Sequence, residues 1–492
     1  MNQLDEVFDH PGTPEGVFSG VVLPVSLGLG INLLSLAIGA PYPMAVVGLV
    51  AAVIASIAWS ERPLAWTIFV SLLAANPANT TTPIALNLYA ALLFFMLARG
   101  EAWREVPRLV QFALGFVLLS MMVSILVSLS AHRTVPSINS VDVDLPRTYS
   151  TTWTGGVSAD IFPTQLIAIL NYLLGPFLLI PLIFTRVRRD LDPDLLVKGL
   201  VFGLILPTIL LFLIARGFGR PTIDPNVLSQ DLLNVSTFRL GKIDIQMIRT
   251  QSGIILASLI CGSFAIAISP IARWTRLAAT GCLAASVYLM LITGSVGSSL
   301  ASLAGMVLIL LMGKRRFSIR RYFLLLLLGA GLAVSAWSVM PTAIQQYAVS
   351  RYEVRMGKSG SAVGDRAWRW KKAFNYLTDH PSGVGWSIYI EPLGTYPHND
   401  YLTYAIAYGV LCGLVYLLYP AGLLFSFIFL NSKVADPSRF ALALAGAGIT
   451  TVLLINSMSD HMTANRWYFN VIWSLIWYAF AASRTPRTQP VP

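Results

Sequence analysis

The sequence predicts an all-α polytopic membrane protein, and its composition carries that prediction. Hydrophobic residues make up 55% of the 492 residues, while only 12% are charged. Soluble domains usually carry about 25% charged residues, so most of this chain is expected to lie in an apolar medium. The acidic segment 1–10 lacks the basic stretch and cleavage site of a signal peptide, so the first apolar run is expected to remain as a membrane helix.

About fourteen apolar runs are long enough to cross roughly 30 Å of hydrocarbon. They cover residues 17–38, 42–59, 64–78, 83–98, 109–131, 161–185, 199–215, 250–270, 277–293, 297–312, 322–341, 399–430, 438–457 and 467–483. No internal repeat is evident in the sequence. Charged residues are absent from the middle of every run, which argues against an ion-coupled transporter, because such proteins usually keep charges at membrane depth.

The distribution of arginine and lysine predicts the orientation. Four short connections are basic, and they contain Arg99, Arg104 and Arg108; Arg186, Arg188, Arg189 and Lys198; Arg273 and Arg276; and Lys314, Arg315, Arg316, Arg320 and Arg321. Short basic loops face the cytoplasm, so both termini are predicted to be cytoplasmic. Three long segments, 132–160, 216–249 and 342–398, are then external.

The predicted organisation follows from that topology. Residues 1–341 hold helices 1–11, and residues 342–398 form a large external, periplasmic loop before the twelfth helix. Residues 399–492 hold helices 12–14 and a cytoplasmic tail. The formal charge of +11 does not indicate nucleic-acid binding, because the basic residues are divided among these loops.

Two external segments are more basic than acidic, although that side of a membrane usually disfavours basic residues. They contain Arg216, Arg220, Arg239, Lys242 and Arg249 in one, and Arg351, Arg355, Lys358, Arg366, Arg369, Lys371 and Lys372 in the other. Guanidinium groups match phosphate oxygens in pairs, so an anionic, phosphate-bearing ligand is predicted there. Contact with membrane lipids or plain solvation is the alternative for each residue taken singly.

Residues 363–378 predict an amphipathic helix within the last external segment. Trp370, Phe374 and Leu377 recur at steps of four and three and are expected to share one face. Arg366 and Arg369 are expected on another face. Such a helix can lie in the membrane interface with its guanidinium groups at headgroup depth; a purely structural interface helix is the alternative.

A histidine stands at the predicted start of the twelfth helix. Three motifs lie close together here: G-V-G-W at 383–386, P-H-N-D-Y-L at 397–402 and G-V-L-C-G at 409–413. Pro397 fits the first helical turn. His398 then lies where a helix start offers unpaired N–H groups and partial positive charge, and it can exchange a proton near neutral pH. An ordinary membrane-helix start with polar interface residues is the alternative.

These motifs resemble the signature of the O-antigen ligase and O-antigen polymerase superfamily, whose members are bacterial inner-membrane glycosyltransferases. The preceding residues 366–370, with His380 and Pro381, resemble the approach to that signature. The resemblance implies that a glycan leaves an undecaprenyl-pyrophosphate carrier on the outer side of the membrane. It also implies a saccharide or lipid A core acceptor and, as further partners, a chain-length regulator or other polysaccharide assembly proteins. It implies no cofactor.

The resemblance implies an inverting, metal-independent transfer, and charge and placement assign roles within it. His398 is predicted to take the proton from, or to orient, the acceptor hydroxyl. Arginines are predicted to neutralise the leaving pyrophosphate: Arg366 and Arg369 and, because the family places arginines of an earlier external loop near the phosphates, Arg249, Arg216 and Arg220. The secondary candidates are Asn399, Tyr401, His380, His461 and Arg466.

The chain departs from its relatives at one turn. Many relatives carry a Ser-Arg pair between two central helices, where this chain has T-G-S-V-G at 293–297 with Val296 in the arginine's place. The small residues of this turn therefore predict close helix packing. Gly409 and Gly413 predict a similar close approach inside the twelfth helix.

No metal or redox site is predicted from the sequence. Asp142 and Asp144 form a D-x-D motif in a polar loop without a nearby histidine, where a solvated acidic turn is favoured over a metal site. The three cysteines, Cys261, Cys282 and Cys412, are expected to be small core residues.

Three classes of function remain open. The first is a lipid-linked glycan polymerase or, sharing the same signature, an O-antigen ligase; the long outer segments favour the polymerase. The second is a flippase or exporter of lipid-linked oligosaccharide, which usually shows repeat symmetry that is absent here. The third is a metal-dependent oligosaccharyltransferase, which needs acidic residues that segment 38–43 does not offer.

Overall fold

The structure is a computed structural model that describes part of the chain. The described residues are 192–216, 235–240, 243–293, 295–314, 359–385, 397–459 and 466–484, with isolated positions between 112 and 181, between 331 and 349, and at 393. The runs 17–38, 42–59, 64–78 and 83–98, almost all of 109–131, 161–185 and 322–341, both chain ends and segment 132–160 lie outside the described residues.

The elements run in chain order as follows: α1 Pro193–Arg216, β1 Val235–Leu240, β2 Ile243–Ile248, α2 Arg249–Ile268, α3 Arg273–Thr293, α4 Val296–Gly313, α5 Ser359–Asp379, α6 Asp400–Tyr408, α7 Val410–Lys433, α8 Pro437–Ser459 and α9 Arg466–Ser483. Apart from the hairpin, the elements in the described ranges are helical. The strands pair antiparallel, with Val235 opposite Ile248. This hairpin lies inside segment 216–249, which was predicted only as an external loop.

Six of the predicted runs coincide with helices. They are 199–215, 250–270, 277–293, 297–312, 438–457 and 467–483, which correspond to α1, α2, α3, α4, α8 and α9. Among the described residues, Arg273–Leu291, Val296–Gly313, Val410–Leu430 and Pro437–Ser459 are long and apolar enough to cross a membrane. The prediction of a multi-pass helical membrane protein is confirmed to that extent.

Small residues bring α2, α4 and α8 into close contact. A methyl group on Gly305 would lie 2.6 Å from Cys261 Sγ and 3.1 Å from the carbonyl oxygen of Gly448. Cys261 also donates from its thiol to the Ser302 carbonyl at 3.3 Å. Without a strong hydrophobic force between helices in lipid, such close packing and interhelical hydrogen bonds hold a bundle together. All three cysteines are buried and free, as predicted.

Contacts at one end of the bundle, here called the Arg439 end, join the starts of α1 and α8 to the end of α9. Arg439 donates to the Ala482 carbonyl at 3.1 Å, and Ser438 donates to the Asp194 carboxylate. The α3 helix runs parallel to α1, since Thr208 contacts Cys282 at 3.1 Å and Phe212 lies near Tyr288 with ring centroids 6.3 Å apart.

The start of α3 therefore lies at the Arg439 end. Arg273 and Arg276 are in its first turn. That end thus gathers basic segments that the charge distribution assigned to one side of the membrane, and its assignment to the cytoplasm stays a prediction.

The opposite end, here called the Asn456 end, is where α2 and α4 begin and where α1, α3 and α8 finish. Ser298 donates to the Asn456 side-chain oxygen at 3.2 Å. A methyl group on Gly253 would lie 2.6 Å from Ser295 Cβ, and one on Gly297 would lie 3.7 Å from Ser459 Oγ. The small residues of turn 293–297 therefore allow close helix packing, as predicted.

Gly446→Ala is expected to lower the free energy of unfolding by about 1–3 kcal/mol. The added methyl group would overlap the ring of Phe427, which is fully buried and packs edge-on against Phe480 with ring centroids 5.7 Å apart. The measurement is unfolding of the detergent-solubilised protein. Gly281→Ala is the matched control, because nothing lies within 4 Å of its new methyl group. Equal stability of the two variants would contradict this account of the core.

Candidate active site

The predicted helix 399–430 is broken at Gly409, so the prediction of one continuous helix is wrong. The α6 helix ends at Tyr408 and α7 begins at Val410. Gly409 has φ +94°, a value that glycine adopts without the steric penalty of a side chain. The break leaves Val410–Leu430 as a candidate span by itself, with α6 as a separate short helix before it.

The short helix α6 doubles back along the first two turns of α7. A methyl group on Gly413 would lie 2.7 Å from Ala405 Cβ and 2.8 Å from the Tyr401 carbonyl oxygen. The Tyr404 and Tyr416 rings stack with centroids 4.1 Å apart and planes inclined by 13°. Contacts therefore move down α6 as they move up α7, which is antiparallel packing. The close approach predicted at Gly413 is present, but the neighbouring backbone belongs to α6.

A loop after α5, residues 381–385, hydrogen-bonds to the main chain at this break. The Val384 amide donates to the Ile406 carbonyl at 2.9 Å, and the Gly385 amide donates to the Ala407 carbonyl at 2.9 Å. The Val410 amide donates to the Pro381 carbonyl at 3.0 Å. In an unbroken helix these two carbonyls would accept from α7 and this amide would donate to α6. The loop replaces those lost hydrogen bonds.

His398 lies at the other end of α6, just outside its first turn. Asn399 is the N-cap residue and α6 begins at Asp400. The prediction that Pro397 occupies the first helical turn is wrong, because Pro397 precedes the N-cap by two residues. His398 has φ +51°, the one positive φ among the described residues other than glycine. Such a backbone costs about 1–2 kcal/mol for an ordinary L-residue and is concentrated at functional sites.

The doubling back of α6 sets the depth of His398 in the bundle. The nine residues of α6 separate His398 from Gly409 by up to about 13 Å along the helix axis. Gly409 immediately precedes the candidate span Val410–Leu430. His398 is therefore recessed beside α7, whereas a continuous helix would have placed it at the end of the span.

Hydrogen bonds occupy two of the secondary candidates. The Asn399 side chain accepts from the Leu402 amide at 3.1 Å, which is an ordinary N-cap contact. The Tyr401 hydroxyl donates to the Leu454 carbonyl on α8 at 2.9 Å. Both side chains thus hold α6 in position.

Asp400 is a residue that the sequence analysis passed over. It is 0% exposed and interacts electrostatically with Tyr401, Tyr404 and Tyr416. An acidic residue in the first turn is favourable at a helix N-terminus, and a buried polar group needs such compensation. Its position beside His398 in the motif was visible in the sequence, but its burial required the hairpin of α6 and α7.

Polar side chains from α7 and α8 lie next to Tyr401, near the start of α6. The Tyr416 hydroxyl lies 3.3 Å from Ser457 Oγ, and the two residues flank the Tyr401 side chain, whose ring centroid lies 5.4 Å from that of Tyr416. Ser295 donates to Ser298 at 3.1 Å, which leads on to Asn456. These groups connect the inner end of α6 to the Asn456 end of the bundle.

The arginines of α5 lie on a different face from the one predicted. Ala373 and Leu377 are buried and Trp370 packs against the hydrophobic core, while Phe374 is 56% exposed. At 100° per residue, Arg366 and Arg369 fall on the same side as Ala373, and both are partly buried. Trp370, Phe374 and Leu377 lie within about 60° of one another, as predicted, but Phe374 is at the exposed edge of that face. The prediction that Arg366 lies on a separate face is wrong. The arginines face the bundle, and the outward face carries Phe374 and the exposed Trp368.

Side-chain contacts hold the C-terminal half of α5 in place. Lys372 Nζ donates to the Leu393 carbonyl at 2.7 Å and lies 5.5 Å from the centre of the Trp368 ring. His380 packs its ring 4.6 Å from that of Tyr376. Burial raises the pKa of the Tyr376 phenol, so this tyrosine stays neutral at physiological pH. His380 is at the Gly409 end of α6, and the structure does not bring it to His398.

Three further candidates are described by their main chain alone. Arg216 ends α1, Arg249 begins α2 and Arg466 begins α9. Arg249 comes four residues before Gly253, which packs against Ser295, so the main chain of Arg249 lies at the Asn456 end. Arg220 and His461 lie outside the described residues, as do Asp142 and Asp144 of the D-x-D motif. Within the described ranges, no group of three His, Cys, Asp or Glu residues could hold a metal ion.

The architecture defines the class of this protein. It is a multi-pass helical membrane protein with a short helix folded back beside a spanning helix and a histidine at its start. The family model described as O-antigen ligase matches residues 281–417. This match confirms the predicted resemblance to the O-antigen ligase and polymerase superfamily. No curated protein matches the chain.

The matched segment covers most of α3, all of α4, α5 and α6, and the first two turns of α7. It therefore contains His398, the loop 381–385, and Arg366 and Arg369. Arg249 and Arg216 precede it.

Proposed function

We propose that this protein is a glycosyltransferase that moves a glycan from an undecaprenyl-pyrophosphate carrier to a saccharide acceptor. The proposed place of reaction is the outer side of the bacterial inner membrane. The observation that carries the proposal is the position of His398. It lies within the O-antigen ligase match, in a left-handed backbone conformation, immediately before the N-cap of a helix folded back beside α7.

The proposed chemistry is a direct displacement at the anomeric carbon of the donor sugar. The imidazole of His398 accepts the proton of the acceptor hydroxyl as its oxygen attacks that carbon. A new glycosidic bond forms while the bond from the carbon to the pyrophosphate oxygen breaks. The electron pair leaves with undecaprenyl pyrophosphate, and attack from the opposite face inverts the configuration. No metal is assigned a role in this proposal.

Arginines are proposed to hold the departing diphosphate. Arg366 and Arg369 lie on the partly buried, bundle-facing side of α5, where reduced contact with water strengthens their attraction to phosphate. Arg249 begins α2 at the Asn456 end, and Arg216 and Arg220 are further candidates for the same role. Guanidinium groups suit this task because each can donate two parallel hydrogen bonds to phosphate oxygens.

Polymerase activity is the favoured form of this reaction. Segments 216–249 and 342–398 are long enough to contact an extended glycan, which a polymerase must hold at both donor and acceptor. The second candidate is ligation of the glycan to lipid A core, and the matching family is described as O-antigen ligase. The two reactions share the donor and differ in the acceptor.

Replacing His398 is the central test. His398→Asn removes the proton acceptor but suits the left-handed backbone, because asparagine tolerates positive φ better than most residues. We expect transfer from purified carrier-linked glycan to fall by about 100-fold or more, within the range for loss of a general base. Activity should be unaffected by a chelator in the parent protein. A normally expressed His398→Asn protein with parental activity would refute the role of His398.

Arg366→Ala is expected to raise the donor KM by about tenfold or more, because a charge-assisted contact to the diphosphate is lost. Lys371→Ala on the exposed face of the same helix is the matched control and should leave the KM unchanged. Arg366→Lys should restore binding poorly, since lysine lacks the paired donors. Equal effects of the Arg366 and Lys371 replacements would argue for nonspecific charge attraction.

Deletion of the gene separates the two acceptors. Loss of a polymerase should leave a single repeat unit on lipid A, and loss of a ligase should leave long glycan on its carrier. The measurement is electrophoresis of lipopolysaccharide together with extraction of carrier-linked glycan. Unchanged glycan in both fractions would contradict the proposed function.

A further inference from the structure

We propose that residues 381–385 form a positioning loop that sets the separation between the arginines of α5 and His398. The inference rests on the proposed function and adds a second class of required residue to it. The loop touches no substrate in this proposal. It acts by holding two helices, one for the diphosphate and one for the acceptor hydroxyl, in a single geometry.

The loop is connected to the end of α5 by main-chain hydrogen bonds. The α5 helix ends at Asp379, the His380 amide donates to the Tyr376 carbonyl at 3.1 Å, and the Gly383 amide donates to the His380 carbonyl at 3.0 Å. His380 therefore links the last turn of α5 to Gly383 in the loop through main-chain hydrogen bonds. Buried Ala373 and Leu377 fix the same end of α5 against the bundle.

The loop is equally well joined to α6 and α7. Its three hydrogen bonds to Ile406, Ala407 and Val410 use main-chain groups on both sides of the break at Gly409. Because α6 is one uninterrupted helix of nine residues, fixing its C-terminal end also fixes the direction in which His398 is presented. A shift or tilt at Gly409 would be carried along α6 to the histidine.

Gly383 is the residue on which this junction depends most. Its φ is +84°, and a methyl group there would lie 2.5 Å from the Gly409 amide nitrogen and 2.8 Å from the Ala407 carbonyl oxygen. Both contacts are with main chain, which cannot rotate away as a side chain can. Gly409, with φ +94°, leaves slightly more room, because a methyl group there would lie 3.0 Å from the Ser382 carbonyl oxygen.

A helix cap with no part in the reaction is the competing explanation, and kinetics separates the two. If the loop sets the distance between donor and histidine, its disturbance should slow the transfer step while the arginines still bind the donor. A misplacement of about 1 Å can cost roughly 100-fold in rate. If the loop only stabilises the fold, donor binding and transfer should fall together with the amount of folded protein.

The experiment compares Gly383→Ala and Gly409→Ala with Gly281→Ala, whose methyl group meets nothing within 4 Å. We expect kcat to fall about 100-fold in Gly383→Ala and about tenfold in Gly409→Ala. The Kd for undecaprenyl pyrophosphate, used as the binding probe, should stay within about twofold. Gly281→Ala should match the parent in both measurements. Size-exclusion chromatography of each detergent-solubilised variant reports the folded fraction.

Two results would overturn the inference: a parental kcat in folded Gly383→Ala, or loss of probe binding in proportion to the loss of kcat. If Gly383→Ala does not fold, Gly409→Ala decides the question by the same two criteria. These results are distinct from failure of the proposed function, which parental activity of His398→Asn would show. An inactive His398→Asn beside a fully active Gly383→Ala would leave the proposed function standing and remove only the positioning role.

Discussion

The main-chain hydrogen bonds between loop 381–385 and the break at Gly409 are the constraint on which the candidate site depends. A helix that stops beside a membrane span exposes carbonyl and amide groups, and each such group is costly where water is absent. The amides of Val384 and Gly385 and the carbonyl of Pro381 meet three of those groups. With these hydrogen bonds, α6 can fold back along α7. Without them, a continuous helix would leave fewer main-chain groups unpaired and would have the lower free energy.

The folded-back helix explains how the main chain around His398 is held in place. His398 has an unusual backbone conformation, and the three residues that follow it anchor the start of α6. Asn399 caps the helix, Asp400 is buried and Tyr401 reaches across to α8. The proton-transfer role proposed for His398 benefits from this fixed position, because catalysis depends on orientation as well as basicity.

The face of α5 matters as much as the position of the histidine. An interface helix with its arginines turned outward would contact lipid headgroups, whereas this helix turns Arg366 and Arg369 toward the bundle and Trp368 and Phe374 outward. The family match covers this helix and His398 but begins after α2. The proposed contribution of Arg249 to donor binding therefore rests on the place of its main chain at the Asn456 end.

Hydropathy alone predicted the described spans, because a run of about twenty apolar residues has few alternatives to crossing a bilayer. The motif around His398 likewise predicted a helix start, and its proton-transfer role stays a prediction. The division at Gly409 was not predictable from the apolar run, since glycine is common inside membrane helices and both halves are hydrophobic. Burial of Asp400, the inward face of Arg366 and the bonding of loop 381–385 were decided by tertiary structure. Each depends on groups distant in sequence that pair once the helices pack.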